Sequence, residues 1–274
     1  MSSSVLAPEL DGLAGQLVEA LGSSITVAEL YGPLGGPVYH ELTADDTNEV
    51  RDVLALLRGT QGPVLELACG SGRLTLPLLV AGHEVTGIDT SQSLLSKLRD
   101  RLSAPSALRL ARRLTLVEAD MCALDLDGRF AAALLGTTTV GLVPPADRPD
   151  FFRRVHDHLA PGGLFVLSAH TPAATAGPGD PVQEELRPLV TPGAVNFVID
   201  RAEPEHARRH VSILRIPAQG QPLLLTSTVH VPTAATLIDE LTRAGFEVDA
   251  ARTARPTSAA PADLSILVAR RSKR

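Results

Sequence analysis

At 274 residues and a net charge of −6, the chain can bury the core of one enlarged α/β domain and is too acidic for a general grip on nucleic acid, which needs a basic surface to release counterions. Apolar residues make up 44%, no apolar run approaches the roughly 20 residues that span a bilayer, and two cysteines, Cys69 and Cys122, make no disulfide framework. The opening MSSSVLAPELDGL has neither the basic region nor the long apolar run of a secretory signal, so a soluble cytoplasmic protein is expected.

Leu10, Leu13, Leu17 and Leu21 fall at helical spacing, and the stretch YGPLGGPVYHEL follows. A second helix is predicted from about Asp46 to Arg58, capped by Asp46 or Thr47, with Val50, Val53, Leu54 and Leu57 as its buried stripe. Short apolar runs then alternate with helical stretches. The strands are VLELA (64–68), EVTGID (84–89), LTLVEAD (114–120), FAAALLGT (130–137) and GLFVLSAH (163–170), and the helices are 75–82, 93–102 and 148–159. Continuous apolar strands separated by helices indicate a parallel sheet covered on both faces. After His170, TPAATAGPGDP (171–181) reads as a loop. The runs 194–200, 210–217 and 223–231 then alternate without an intervening helix, which predicts antiparallel pairing. A helix over 233–245, stopped by Gly245, and the strands FEVDAAR and DLSILVARR finish the chain. The expected class is α/β, a doubly wound, mostly parallel sheet with amino-terminal helices and an inserted antiparallel β lid.

Glu66 ends a strand that breaks into Gly70 and Gly72 before a helix. Such a turn lets a ligand approach the backbone, because glycine supplies unusual φ angles and removes the obstructing Cβ. Dinucleotide sites use G-x-G-x-x-G, but the third position here is Thr75, and Glu66 would set a negative charge near a pyrophosphate. A ligand with a cationic end suits the turn better. Asp89 ends the next strand, 17 residues past Gly72, where a carboxylate can accept from both hydroxyls of a ribose. Asp120, ending the third strand, can accept from an adenine amine, with Met121 packed on the ring face. Taken singly, the glycines suit a tight turn, Asp89 a helix cap in competition with Thr90 or Ser91, and Asp120 a solvated strand end. Their joint order selects an adenosine-like ligand.

VLELACGSGRL, GIDTS, VEADM and LAPGGLFVLS together resemble the class I S-adenosylmethionine-dependent methyltransferases over roughly residues 60–170. The family's first glycine is Ala68 here, and LAPGG (159–163) reads as a structural turn. The resemblance implies a Rossmann-like domain at 59–170 and 232–274, an amino-terminal helical cap segment at 1–58 and a substrate lid at 171–231. It implies S-adenosylmethionine as cofactor, S-adenosylhomocysteine as product and no metal. Glu66 and the backbone of Ala68, Gly70 and Gly72 would face the methionine portion, with Arg73 a further cofactor-binding residue. Asp89 would hold the ribose, with Thr90 a further cofactor-binding residue, Asp120 and Met121 would hold the adenine, and the Gly136–Thr137 backbone would meet the amino group.

Methyl transfer from a sulfonium is an in-line displacement, so the protein has chiefly to align the partners and exclude water. His156 and His158 lie two apart in one helix and face different ways, which is no metal-ligand spacing. The first candidate for a base or acceptor-orienting group is His170, on the rim where ligands bind in such sheets. Tyr31 and Tyr39 are the other catalytic candidates, against a reading in which they only pack their glycine-rich loop. His40, next to Tyr39, reads as simply exposed; His230 and Glu184, from the expected lid, are weaker candidates, and Arg208–Arg209 suits solvated surface better than a substrate clamp. The element order is similar to N-methyltransferases of small amines and amino sugars. LYGPLGGPVYHEL with ELACGSGRLTLPLL also resembles methyltransferases of daptide-type ribosomal peptides, which dimethylate a carboxy-terminal amine. The expected partner is a small-molecule amine or modified peptide, with neither nucleic acid nor membrane. O-methylation of a natural-product hydroxyl and a non-catalytic adenosine-ligand protein stay open, as does monomer against homodimer.

Overall fold

The computed structural model describes residues 10–43, 46–47, 49–170, 179, 181–249 and 264–273, and of His170 the backbone alone. The chain starts α1 (Gly12–Leu21), β1 (Thr26–Glu29), α2 (Gly35–Thr43) and α3 (Val50–Leu56). It continues β2 (Val64–Leu67), α4 (Thr75–Val80), β3 (Val85–Asp89), α5 (Gln92–Arg101), α6 (Leu108–Ala111), β4 (Leu114–Glu118) and β5 (Phe130–Leu135). Then come α7 (Arg148–His158), β6 (Leu159–His170), β7 (Gln183–Thr191), β8 (Ala194–Glu203), β9 (Arg208–Pro217) and β10 (Leu223–His230). The last elements are α8 (Ala234–Arg243), β11 (Phe246–Val248) and β12 (Leu264–Arg271).

The chain forms two compact units, residues 43–175 with 230–274 and residues 1–42 with 176–229. The larger holds a seven-stranded sheet in the order β11-β12-β6-β5-β2-β3-β4. Pairings among β2 to β6 are parallel, while β12 runs antiparallel to β6 and β11 to β12. Alternate residues of the central strands enter opposite cores. Leu65, Leu67, Ala133 and Leu135 join Phe151, Phe152 and Phe165 on one face. Val64, Ala132 and Leu134 join Leu78, Leu79, Leu95 and Leu98 on the other. Both faces are therefore covered, which is why the strand sequences read as nearly continuous apolar runs. The expected mixed α/β class, with a mostly parallel sheet and a further antiparallel one, is what forms.

The smaller unit holds a five-stranded sheet in the order β1-β10-β9-β8-β7. β8–β9 is antiparallel, as the alternation predicts; β7 adds antiparallel to β8, and β1 joins β10 in parallel. Thus an amino-terminal strand completes the late sheet, and residues up to 42 group with it rather than with the helix that follows. Neither β1 nor β7 was expected from sequence. Leu214 and Leu224 pack against Ala14 and Leu17 on one face, and Ile213 and Leu225 against Leu30 and Val38 on the other.

Three local expectations need correction. The helix drawn from Asp46 begins only at Val50, and the residue before it, Glu49, has φ +59° and makes no side-chain cap bond. LAPGG is not a turn ahead of β6 but its irregular first part, where the pairing register jumps from Phe130–Leu159 to Ala132–Leu164. GGPVYHELT, left without an element, is the helix α2. The loop expected at 171–181 lies almost wholly outside the described residues, as does the end of FEVDAAR.

Candidate functional site

The carboxyl ends of β2, β3 and β5 bring most of the predicted residues to one rim of the larger unit. β2 delivers Glu66, which is 3% exposed and accepts a 2.6 Å hydrogen bond from Thr75 Oγ1 at the start of α4. Burial pushes the Glu66 carboxyl up to about 8, against the Thr75 hydrogen bond and the nearby Arg73 charge; Asp89 and Glu49 push in the same direction as burial. The chain then turns sharply, with Ala68 at φ +53°, Gly70 at +53° and Gly72 at +90°. A Cβ on Gly72 would lie 2.4 Å from Leu98 Cδ1, so the close seating of α5 under the turn requires glycine. At Gly70 a Cβ would fill the space beside Asp89, 3.9 Å from its Oδ2.

Asp89 is fixed by two backbone donors. Gly70 N–H donates to Oδ2 at 2.8 Å and Ser91 N–H to Oδ1 at 2.8 Å. Burial raises the Asp89 carboxyl from its ordinary value, and these two hydrogen bonds oppose the shift. Each oxygen keeps acceptor capacity for a hydroxyl. Thr90 beside it is exposed. Asp120 is also exposed, and its Oδ1 accepts from Cys122 N–H at 2.8 Å, closing a single 3₁₀ turn at Met121–Ala123. Met121, half-buried, packs against the core.

After β5, Gly136 has no room for a Cβ, which would meet Leu74 Cδ1 at 2.3 Å and Glu49 Oε1 at 3.0 Å. Thr137 and Thr138 follow at φ +58° each, and Thr138 N–H donates to Ser168 Oγ at 3.0 Å. Thr137 N–H donates to Glu49 Oε1 at 2.7 Å. Arg73 closes this corner, with Nη2 ion-paired to Glu49 and 2.5 Å from Thr137 Oγ1. Sequence reasoning missed Glu49, which stands 24 residues from Arg73 and 88 from Thr137.

Of the catalytic candidates, His170 ends β6 opposite Leu264, and its side chain lies outside the described residues. Tyr31 and Tyr39 belong to the smaller unit, where their rings meet edge to face at 5.0 Å. Burial pushes the Tyr31 phenol well above its ordinary 10. His40 sits on α2 and His230 ends β10. Both Glu184 oxygens accept from Leu13 N–H at 3.1 Å, tying β7 to the first turn of α1. Arg208 pairs with Glu203 and Arg209 with Asp200, so neither is a bare surface cation. His158 is buried between Arg154 O and Leu126 N–H, and His156 stacks edge-on to Phe246. Among the described residues, no group of three His, Cys, Asp or Glu side chains could hold a metal ion. No helix among them is long and apolar enough to cross a membrane.

A carboxylate-lined bend with one guanidinium, an oriented acid at the next strand end and a glycine-cleared space beside it suits a nucleoside with a cationic amino-acid arm. Residues 64–163 match the family model described as a methyltransferase domain. The glycopeptide N-methyltransferase MtfA, solved with S-adenosyl-L-methionine, is 33% identical, with 82% of this chain and 93% of that one aligned at a TM-score of 0.59. The CcbJ methyltransferase of Streptomyces caelestis shares the fold, at a TM-score of 0.69 and 22% identity over 85% of this chain and 96% of that one. The cypemycin N-terminal methyltransferase of a Streptomyces species is 29% identical over 127 residues, 46% of this chain and 49% of the relative. The chain thus spans less than half the length of the curated relatives it matches. With S-adenosylmethionine as its cofactor, the chain belongs to the class I S-adenosylmethionine-dependent methyltransferases.

Proposed function

We propose that this protein is an N-methyltransferase acting on an amine of a natural product or modified peptide. The observation that carries the reading is the likeness to the glycopeptide N-methyltransferase MtfA, which extends over 93% of that chain. The cypemycin match supports a peptide acceptor, and a terminal amine of a ribosomally made peptide, taken to the dimethylamine, is the specific acceptor we favour. An acidic chain at net charge −6 is compatible with a cationic acceptor. The two thiols are free, in keeping with a reducing cytoplasm.

S-adenosylmethionine, when bound, supplies an electrophilic methyl group on a sulfonium. The chain's own residues do the rest. Asp89, locked by Gly70 and Ser91 N–H, would accept from the ribose hydroxyls, with Thr90 beside it. Asp120 and Met121 would flank the adenine. Glu66, Arg73, the 68–72 bend and the Gly136–Thr137 backbone would line the amino-acid portion. Alignment and exclusion of water then contribute most of the rate, a positioning effect of about 7–11 kcal/mol in favourable cases. The acceptor amine must arrive unprotonated; His170 is the group proposed to orient it or take up the product proton, and Tyr31 and Tyr39 are proposed only to orient it.

Incubation with S-adenosylmethionine and a panel of amines, including peptides with a free terminal amine, tests this. The expected result is a mass gain of one or two methyl groups on nitrogen. Methylation that persists on acceptors with every amine blocked would transfer the reading to a hydroxyl. Tight donor binding without transfer to any acceptor would leave a non-catalytic adenosine-ligand protein.

A further inference from the structure

Glu49 is the least expected feature of the rim. It is 2% exposed, and it occupies a left-handed backbone position that a residue with a Cβ adopts at a cost. It stands just ahead of α3 without capping it; its side chain reaches Thr137 N–H and the Arg73 guanidinium through Oε1. The absence of a Cβ at Gly136 leaves the room for that carboxylate, since a methyl there would lie 3.0 Å from Oε1. The second oxygen, Oε2, is buried and has no hydrogen-bond partner among the described residues. A buried carboxylate oxygen left bare forfeits its hydration with nothing in return, so it calls for a donor that the described residues do not supply.

The neighbourhood says what kind of donor. Glu49 and Asp89 both act electrostatically on Glu66, so three acidic side chains share this rim with the Arg73 guanidinium. An acceptor-only oxygen in an excess of negative charge matches a primary ammonium, which carries three N–H donors and no acceptor. We propose that Glu49 is a donor-recognition residue whose Oε2 receives the α-ammonium of the S-adenosylmethionine amino-acid arm. This rests on the S-adenosylmethionine reading above. Arg73 holds Oε1 in place, so one carboxylate orients the arm while bridging the loop before α3 to the turn after β5.

Calorimetric binding of two probes to wild type and Glu49→Gln tests the assignment. One probe is S-adenosylhomocysteine; the other is the same molecule with hydrogen in place of the α-amine. Glu49→Gln keeps an acceptor for Thr137 N–H and removes the charge. It should weaken S-adenosylhomocysteine by about tenfold to a hundredfold, the size of a charge-assisted hydrogen bond, and leave the deaminated probe within about twofold of wild type. Equal weakening of both probes, or of neither, overturns the assignment while the cofactor reading stands. If wild type binds neither probe, the cofactor reading falls, and this inference with it. Should Glu49→Gln not fold, Glu49→Asp, which sets the charge back by one methylene, carries the same comparison with the same selectivity expected.

Discussion

Glu66 and Asp89 make the ligand-free rim costly at neutral pH. Burial holds the Glu66 carboxyl near 8, against an ordinary value of 4.5, and raises Asp89 as well. A carboxyl whose pKa is raised on folding binds protons more tightly in the native state, so its contribution is fully present below about 4.5 and is lost as pH rises through about 8. The urea midpoint of the ligand-free protein should therefore fall across that window, and Glu66→Gln, which cannot ionise, should flatten most of the slope. A slope unchanged by that substitution would mean Glu66 is ionised in the native state. The same bend carries backbone strain at Ala68, whose φ of +53° glycine would adopt freely. A left-handed alanine costs about 1–2 kcal/mol, partly offset by the extra freedom glycine gains in the unfolded chain, so Ala68→Gly should stabilise by about 0.5–1 kcal/mol in denaturant titration. At the ribose end, Asp89→Ala should weaken S-adenosylhomocysteine at least tenfold in equilibrium dialysis, because it removes the acceptors for both hydroxyls. Unaltered affinity would move the ribose elsewhere.

Between elements, α7 and α8 are joined by a buried fork. Arg148, 4% exposed, donates through Nε at 2.8 Å and Nη2 at 3.0 Å to the two oxygens of Glu240. Removing one member of such a pair strands the other in the core. Glu240→Ala should cost about 3–5 kcal/mol, and the double replacement Arg148→Met with Glu240→Leu should recover most of it, as read from urea midpoints. An additive loss in the double variant would show that the guanidinium has a further role. The strands and helices of the larger unit were legible because each buries a whole face: Leu94, Leu95 and Leu98 mark α5 as plainly as Leu65 and Leu67 mark β2. β7 was not, because QEELRPLVT is exposed along almost its whole length and shows no alternation. α2 hid behind its two glycines and a proline, residues that usually mark a turn, and LAPGG imitates a turn while extending a strand. In the rim, acids at strand ends could be read from spacing. Glu49 could not, since its partners are brought to it only by the folding of β2 and β5 side by side.

At the scale of the whole chain, two units with separate cores make a single melting temperature a poor measure of cofactor binding. The rim residues Glu49, Glu66, Asp89 and Thr137 all belong to the larger unit, whose two cores meet at β2 and β5. A ligand that binds only the native form stabilises it by RT ln(1 + [L]/Kd), about 2.7 kcal/mol at one hundred times Kd. The buried amides of Leu65, Leu67, Leu134 and Leu135 report the opening of that unit, because they lie on its central strands with fully covered side chains. Amide exchange at those four positions should slow by about a hundredfold when S-adenosylhomocysteine is present at one hundred times its Kd. The measurement assigns the ligand to a unit without relying on catalysis or on any acceptor. Exchange that slowed only in β8 and β9, with the four leucines unaffected, would place the nucleoside on the other sheet and leave the acid-lined bend without its ligand.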